Sequence, residues 1–410
     1  MKKKLLTVLL TATLACGLFA GCGADAGEKN EGSSSEGTSN EDVIKIGSIH
    51  PLTGAYAYEA QAIVNAQQIA IDEINEAGGI QSLGGKKLEL EVGDSQGSAD
   101  TGASETERLI NDGCVALTGT FQSSVTLTAI QTAEKEKIPF VVTISNNVSM
   151  FENGYKYCFR IQPNADVFAN EFVDYIGEVK SDDIKTAVLI NEDSITGTES
   201  GDIVEQNLSN AGIELLDRIT YSASATNLSS EVTKIAQDSP DMLITIGYFA
   251  DTELLVKELQ SRGVSLKLVC GVANGGISDT KFIEDFGDSV ENYCDLNYRW
   301  NPNSDKAQKL LSDYKEKYGD DMSVHAIYGY ESIQVIADAL ERAGSTDSDK
   351  LRDALSETNY ENTLLPQTGA IKFDDKGENE NASGVLIQIQ DGKQVVVYPK
   401  DFAEAEIRYN

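Results

Sequence analysis

The stretch VALTGTFQSSVT, residues 115–126, contains a complete change from strand to helix. An apolar run ends at Gly119, small hydroxyl residues follow, and an apolar pattern with helical spacing resumes at Val125. This order predicts a strand, a loop and a helix that begins at Ser123 or Ser124. In an open parallel sheet such a turn lies at the carboxyl edge, where hydroxyls and free helix amides suit an anion, above all a carboxylate. An ordinary helix N-cap would produce the same pattern.

Strand-like and helix-like stretches alternate on both sides of this turn. One series runs from a strand at 43–49 to a strand near 157–161, and a second runs from a helix at 168–179 to a strand at 266–270. The second series includes a predicted helix over 201–211 and ends in a predicted turn over 271–274. Two successive βαβ series, each long enough for its own core, predict an α/β fold of two doubly wound parallel-sheet lobes.

The N-terminus has the features of an exported protein. Three lysines follow Met1, apolar residues continue to Phe19, and Ala-Gly precedes Cys22. This pattern predicts a signal peptide over 1–21 and resembles a bacterial lipoprotein site with lipidation at Cys22; Cys16 is the weaker alternative. Residues 22–42 are rich in Gly, Ser, Glu and Asn, which predicts a disordered linker. We expect a protein held at the extracytoplasmic face of the cell membrane by its lipid alone.

Charge and composition narrow the classes of function. The chain has 33 Lys and Arg against 66 Asp and Glu, a net charge of −33, which argues against nucleic acid as a partner. With only His50 and His325 and no CxxC spacing, we predict no metal and no cofactor. Cys114 and Cys270 lie in apolar runs, which favours buried thiols; a Cys270–Cys294 disulfide is the alternative in an exported protein.

Short motifs that mark one known family are spread over most of the chain. They are IKIG at 44–47 with PLTG at 51–54, AIDEINEAGGI at 70–80, the loop at 119–124, YCFR at 157–160, the stretch 241–248 and YGYE at 328–331. Together they resemble the branched-chain amino acid (leucine/isoleucine/valine) binding proteins of ABC importers. The resemblance implies a type I periplasmic-binding fold, in which two lobes joined by three crossing strands close over a ligand. The implied lobes are 43–162 with 299–378, and 163–298 with 379–410.

The resemblance also implies where the ligand lies. In the family's amino acid binders two loops hold the ligand carboxylate, and here these loops match Gln122, Ser123 and Ser124, and Ser145, Asn146 and Asn147. The aromatic positions of the cleft match Tyr248 and Tyr328. From the residues themselves, Tyr58 in the first turn is a further candidate for the pocket wall.

One position departs from the family pattern. The acid that meets the ligand ammonium is missing from the turn after the 266–270 strand, which reads GVAN and offers Asn274 instead. A buried ammonium without a carboxylate loses a charge-assisted bond of roughly 1.5–3 kcal/mol. Either Asp193, Asp251 or Glu192 replaces it, or the ligand is an aromatic or aliphatic carboxylate rather than an amino acid.

The expected function is therefore that of a monomeric receptor that binds a small ligand and delivers it to an ABC permease. A ligand-sensing lipoprotein that serves a signalling partner would use the same cleft. An enzyme on this scaffold is the alternative of another class, but the chain has no nucleophile elbow, dinucleotide fingerprint or metal spacing.

Overall fold

The computed structural model describes residues 43–410, and the predicted signal peptide, lipidation site and linker lie outside this range. Within it, no helix combines the length and the apolar character needed to cross a membrane. The same residues contain no group of three or more His, Cys, Asp or Glu side chains that could hold a metal ion.

The first part of the chain forms a five-stranded parallel sheet with its helices. In chain order the elements are β1 (Val43–His50), α1 (Ala57–Glu76), β2 (Lys87–Asp94), α2 (Ala99–Asn111), β3 (Ala116–Gly119), α3 (Ser123–Glu136), β4 (Phe140–Val142) and β5 (Cys158–Arg160). The strands pair in the order β2-β1-β3-β4-β5. The order reverses between β1 and β3, so a crevice opens at the carboxyl ends of these two strands.

The central strands of this sheet meet closely where they end. All of β3 and β4 is buried, as expected for apolar strands covered by helices on both faces. Gly119, the last residue of β3, has a φ of +131°, and a Cβ there would lie 2.3 Å from the backbone oxygen of Ile49 on β1. Only glycine fits this position, so the loop that follows leaves the sheet beside the end of β1.

The second part begins with another βα series and continues through helices to a final hairpin. Its elements are α4 (Ala165–Val179), β6 (Thr186–Glu192), α5 (Ile195–Asn207), β7 (Glu214–Tyr221), α6 (Ser229–Asp238), β8 (Met242–Ile246), α7 (Phe249–Arg262), β9 (Leu268–Val272), α8 (Thr280–Phe286), β10 (Cys294–Asn297), α9 (Asp305–Tyr318), α10 (Ala326–Ala343), α11 (Ser348–Ser356), β11 (Asn359–Tyr360), β12 (Ile371–Lys372), β13 (Val385–Gln390) and β14 (Lys393–Tyr398). Short 3-10 segments lie at Gln81–Leu83, Val148–Phe151, Leu208–Ala211 and Gly287–Val290.

These strands form a seven-stranded sheet and a small separate pair. The large sheet has the order β14-β13-β10-β9-β8-β6-β7, parallel except where β13 pairs with β10 and with β14. Strands β11 and β12 pair with each other. The order of the large sheet reverses between β6 and β8, which gives the second lobe its own crevice at the ends of these strands.

The chain passes between the two sheets three times. The connections lie between β5 and α4, between β10 and α9, and between β12 and β13. Helix α10 returns to the first sheet, where it packs against α1 and approaches β3 and β4. The predicted α/β fold of two parallel-sheet lobes is thus present, with an antiparallel hairpin at one edge of the second sheet.

Two predicted elements of the second lobe differ from the structure. Helix α5 begins at Ile195 instead of residue 201, because Ser194 caps it by accepting a hydrogen bond from the Gly197 N–H at 3.2 Å. The prediction missed this first turn because its Thr, Gly and Ser residues have weak helix propensity. Strand β9 continues to Val272, so the predicted turn at 271–274 is wrong in its first half.

The reason for the second difference is a close approach between strands. A Cβ on Gly271 would lie 2.3 Å from the Asp295 carboxylate on β10, so this glycine provides space within the sheet rather than a turn.

The cysteines of the described residues are buried free thiols. These are Cys114, Cys158, Cys270 and Cys294. Cys270 and Cys294 stand opposite each other in the β9–β10 register, yet they are not joined. Burial raises the pKa of the Cys114 thiol to about 12, which keeps it protonated.

Candidate functional site

A small cavity of about 50 Å³ lies where the two crevices face each other. The first lobe contributes Glu59, Phe121, Ser123, Ile144, Ser145, Asn146 and His325 to its lining. The second lobe and the middle crossing contribute Glu192, Thr196, Ser200, Ile246, Gly247, Tyr248, Val272, Ala273, Gly275 and Tyr298. Each crevice therefore supplies part of the lining of one cavity.

Aromatic rings from both lobes meet at the cavity. Tyr56, in the turn after β1, lies 5.7 Å from the Phe121 ring and 5.0 Å from the Tyr248 ring, measured between centroids. His325 packs edge-on against Phe121 and against Tyr298, each at 5.5 Å. Because Tyr248 belongs to the second lobe, these rings hold the two lobes in direct contact.

Hydroxyl groups form a connected chain on the first-lobe side. Thr126 Oγ1 donates to Ser145 Oγ at 2.7 Å, and Ser145 Oγ donates to Ser123 Oγ at 3.2 Å. Ser123 Oγ then meets Thr196 Oγ1 of the second lobe at 2.8 Å. Ser123 is the first residue of α3, where helix amides lack intrahelical acceptors. This side of the cavity offers donors to a negatively charged group.

A buried arginine holds the loop that carries Ser145. Arg160 is fully buried; its Nη1 donates to the backbone oxygens of Asn147 at 2.7 Å and Ser145 at 3.2 Å. Its Nε donates to Glu378 Oε2 at 2.8 Å, and its Nη2 pairs with the other oxygen of the same carboxylate. The guanidinium also lies 4.5 Å from the centre of the Phe151 ring. The Nη1 hydrogen bonds therefore hold the loop, and the bidentate ion pair with Glu378 holds the arginine itself in place.

Two acidic side chains also line the cavity, one from each lobe. Glu192 ends β6 and lines the cavity, where it accepts hydrogen bonds from the backbone N–H and hydroxyl of Ser194. Burial raises its pKa above the usual range. Glu59, on the first turn of α1, also lines the cavity, and burial raises its pKa to about 7. A Cβ on Gly197 would lie 2.5 Å from Glu192 Oε1, so a glycine there leaves room for this carboxylate.

Of the three acids considered as replacements for the missing one, only Glu192 lines the cavity. Asp193 is exposed and accepts the Ala223 N–H at 2.8 Å. Asp251 caps α7 by accepting the Tyr248 N–H at 3.1 Å, and burial raises its pKa to about 6.

Four of the predicted ligand-binding residues line the cavity: Ser123, Ser145, Asn146 and Tyr248. The other members of the two loops point elsewhere. Ser124 is exposed, and Gln122 is the N-cap residue of α3 and approaches Gly97. Asn147 donates to Glu199 Oε2 at 2.9 Å, which joins the lobes outside the cavity.

The remaining predicted positions lie outside the lining. Tyr58 is 40% exposed, whereas Tyr56 packs against the ring of Tyr248, which lines the cavity. Asn274 is fully buried and uses its amide within the second lobe, accepting from Thr252 Oγ1 and the Gly276 N–H at 2.8 Å each. Tyr328 is buried behind Tyr298, with ring centroids 4.9 Å apart.

Several residues at the site were not predicted. His325 precedes α10 and lines the cavity, whereas Tyr328 one turn later does not. Burial lowers the pKa of His325 to about 4, so its ring is neutral. Glu59 carried one usable signal, its position at the start of a helix that follows the first turn. Phe121 lay inside the stretch that predicted the site, but its apolar character indicated core.

Comparison with known proteins agrees with this architecture. The sequence model of the family described as periplasmic binding protein matches residues 43–394. The chain is 29% identical over 379 residues to Leu/Ile/Val-binding protein homolog 7 of Brucella suis biovar 1 (strain 1330), covering 89% of this chain and 94% of that protein.

Solved structures share the fold. One is the branched-chain amino acid transporter substrate binding protein LivJ from Streptococcus pneumoniae in complex with isoleucine, with a TM-score of 0.77, 22% identity, and coverage of 90% of this chain and 100% of that chain. Another is a solute binding protein of an ABC transporter from Rhodopseudomonas palustris BisB5 in complex with 3,4-dihydroxy benzoic acid, with a TM-score of 0.75, 20% identity, and coverage of 86% and 95%.

The two-lobed fold, with a cavity between the lobes, is shared with these binding proteins. The chain belongs to the periplasmic binding protein family, as the motifs predicted, and its resemblance to the leucine/isoleucine/valine binders is confirmed. The predicted type I fold is confirmed as well.

The ion pair beneath the site makes a testable contribution to stability. Glu378→Gln removes the carboxylate from fully buried Arg160, and we expect a loss of about 3 kcal/mol in the free energy of unfolding, because the guanidinium is left without its counter-charge. Denaturant unfolding measures this value. Glu380→Gln is the matched control: it breaks an exposed pair with Lys372 and should cost less than about 1 kcal/mol. Equal losses in both variants would contradict this role.

Proposed function

We propose that this chain is a lipid-anchored extracytoplasmic receptor that binds a small amino acid or related carboxylate between its lobes and delivers it to an ABC permease. The observation that carries the proposal is the two-sided chemistry of the cavity. Hydroxyl and amide groups of Ser123, Ser145 and Asn146 line the same cavity as the acids Glu192 and Glu59. Such an arrangement complements a carboxylate at one end of a ligand and an ammonium at the other.

Release and capture follow from the contacts between the lobes. The Ser123–Thr196 hydrogen bond and the Tyr56–Tyr248 ring contact join the two lobes, so we infer that a ligand enters when the lobes part. We infer a hinge motion at the three crossings, as in other binding proteins that close around a ligand. A monomer suffices for this action, because the cavity lining comes from one chain.

An aromatic carboxylate is the second candidate. It is favoured by the rings of Phe121, Tyr248, Tyr298 and His325, which supply flat apolar surface. Under this alternative the donors of the first lobe hold the carboxylate, and Glu192 and Glu59 have no ammonium to bind. The relative that binds 3,4-dihydroxy benzoic acid supports it.

A ligand screen separates these two candidates. We expect an amino acid to raise the midpoint of thermal unfolding of the full chain more than aromatic or aliphatic carboxylates do, because a ligand that binds only the folded state stabilises it. Glu192→Gln should abolish the shift with the amino acid, whereas Asp193→Asn, at the exposed neighbour, should keep it. A shift with aromatic carboxylates that survives Glu192→Gln would establish the second candidate. If neither amino acids nor carboxylates shift the midpoint, the proposed function is wrong.

The donor side of the cavity has its own test. Ser123→Ala should weaken the ligand that gives the largest thermal shift by roughly 1–3 kcal/mol, because the variant loses a hydroxyl donor to the carboxylate. Ser124→Ala is the matched control, since this side chain is exposed and its loss should leave affinity unchanged. Isothermal titration calorimetry measures both variants. Unchanged affinity in Ser123→Ala would remove this residue from the anion site.

The membrane anchor is tested at the N-terminus. Cys22→Ser should release the protein from the membrane fraction and abolish incorporation of labelled palmitate in a bacterial host, because the thiol that takes up the lipid is gone. Cys16→Ser should keep both. The reverse result would move the anchor to Cys16, and labelling in both single variants would show that neither cysteine is the unique acceptor.

A further inference from the structure

A second cavity, of about 220 Å³, lies at the middle crossing between the lobes. Arg299 and Trp300 come from the segment that leaves β10, and Gln394 comes from β14 of the second lobe. Met322, between α9 and α10, lies on the other side. This cavity is separate from the interlobe site, because the two linings share no residue.

Arg299 is buried in this cavity without a counter-charge. Arg299 is 7% exposed. Its guanidinium forms no ion pair within 4.0 Å with a carboxylate of residues 43–410. Nη1 and Nη2 donate only to neutral oxygens of Gln394, at 3.1 and 3.2 Å, and the guanidinium lies 3.9 Å from the centre of the Trp300 ring. Nε is buried and has no hydrogen-bond partner among residues 43–410.

The nearby charges do not supply the missing partner. Asp321, the carboxylate in the lining, pairs with Lys315 at 2.7 Å. Glu404 is too distant for an ion pair with Arg299 and accepts the Val396 N–H at 2.9 Å. Burial lowers the pKa of Arg299 to about 10, so the group is still charged at neutral pH. Lys393 adds a further positive charge to the lining.

Burying a guanidinium without a counter-charge costs free energy of folding. An anion that binds in the same cavity offsets part of this cost. We propose that the cavity binds a small anion, with the guanidinium of Arg299 as the positive charge that attracts it. The ligand is a compact hydrogen-bond acceptor with a negative charge. A halide, an inorganic oxyanion and the carboxylate group of a small acid all meet this description. This anion site does not depend on whether the interlobe cavity binds the ligand proposed for it.

Trp300 is the only tryptophan of the chain, and its ring stacks on Arg299, so its fluorescence reports on this cavity. The full chain is titrated with sodium chloride, sodium sulfate and sodium acetate, with ionic strength held constant by the bulky anion of HEPES. We expect a saturable change with at least one of the three. The response to each distinguishes a halide site, an oxyanion site and a carboxylate site.

Variants link the response to Arg299. Arg299→Gln should weaken the saturable binding tenfold or more, about the effect of losing one charged hydrogen bond. Arg352→Gln is the matched control, because this half-buried arginine lines a different groove beside Asp353 and changes the net charge equally. Ser123→Ala should also keep the response, which separates it from binding in the interlobe cavity.

A second variant keeps the test decisive if Arg299→Gln does not fold. Gln394→Glu places a carboxylate where the amide oxygen now meets Arg299 Nη1, so the protein supplies its own counter-charge and the anion response should disappear. A change in fluorescence that does not saturate, or that persists equally in Gln394→Glu, would overturn the proposal.

Discussion

The ion pair between Arg160 and Glu378 is the contact on which the candidate site depends. Arg160 ends β5, the last strand of the first sheet before the chain crosses, and Glu378 lies on the return connection toward β13. The same guanidinium binds the backbone oxygens of Ser145 and Asn147. One buried charge thus fixes two of the crossings and the loop that supplies donors to the cavity. A buried ion pair rarely adds much net stability, but its geometry is specific, and the site needs that specificity.

The polar residues of the cavity come from the two places at which the strand order of a sheet reverses. In each sheet the strand order reverses, between β1 and β3 and between β6 and β8, and polar residues follow the strands at both places. Ser123 comes from the first place and Glu192 from the second. Free helix amides and hydroxyls favour an anion, whereas a buried carboxylate favours a cation, so the cavity lining combines groups of both preferences.

The two buried arginines at the crossings show how the same residue takes different roles. Arg160 has a bidentate carboxylate partner, whereas Arg299 has only the neutral oxygens of Gln394 and the face of Trp300. In an enclosed, weakly polar environment this difference decides whether a charge is satisfied within the protein or by a solute. The first arginine is accordingly part of the framework, and the second is the residue on which the proposed anion site rests.

The sequence by itself determined the α/β class, the paired series of strands and helices, and the end of the sheet at which the site lies, because apolar periodicity and turn residues are local properties. The turn pattern indicated Ser123, and the family resemblance implied Ser145, Asn146 and Tyr248; all four line the cavity. Only the tertiary structure decided that Ser123 points inward and Ser124 outward, since successive helix residues differ by about 100° around the axis. It likewise decided that Glu192 and Glu59 line the cavity, whereas Asn274 and Tyr328 are buried outside its lining. Burial and partner choice depend on residues distant in the chain, so local pattern could not supply them.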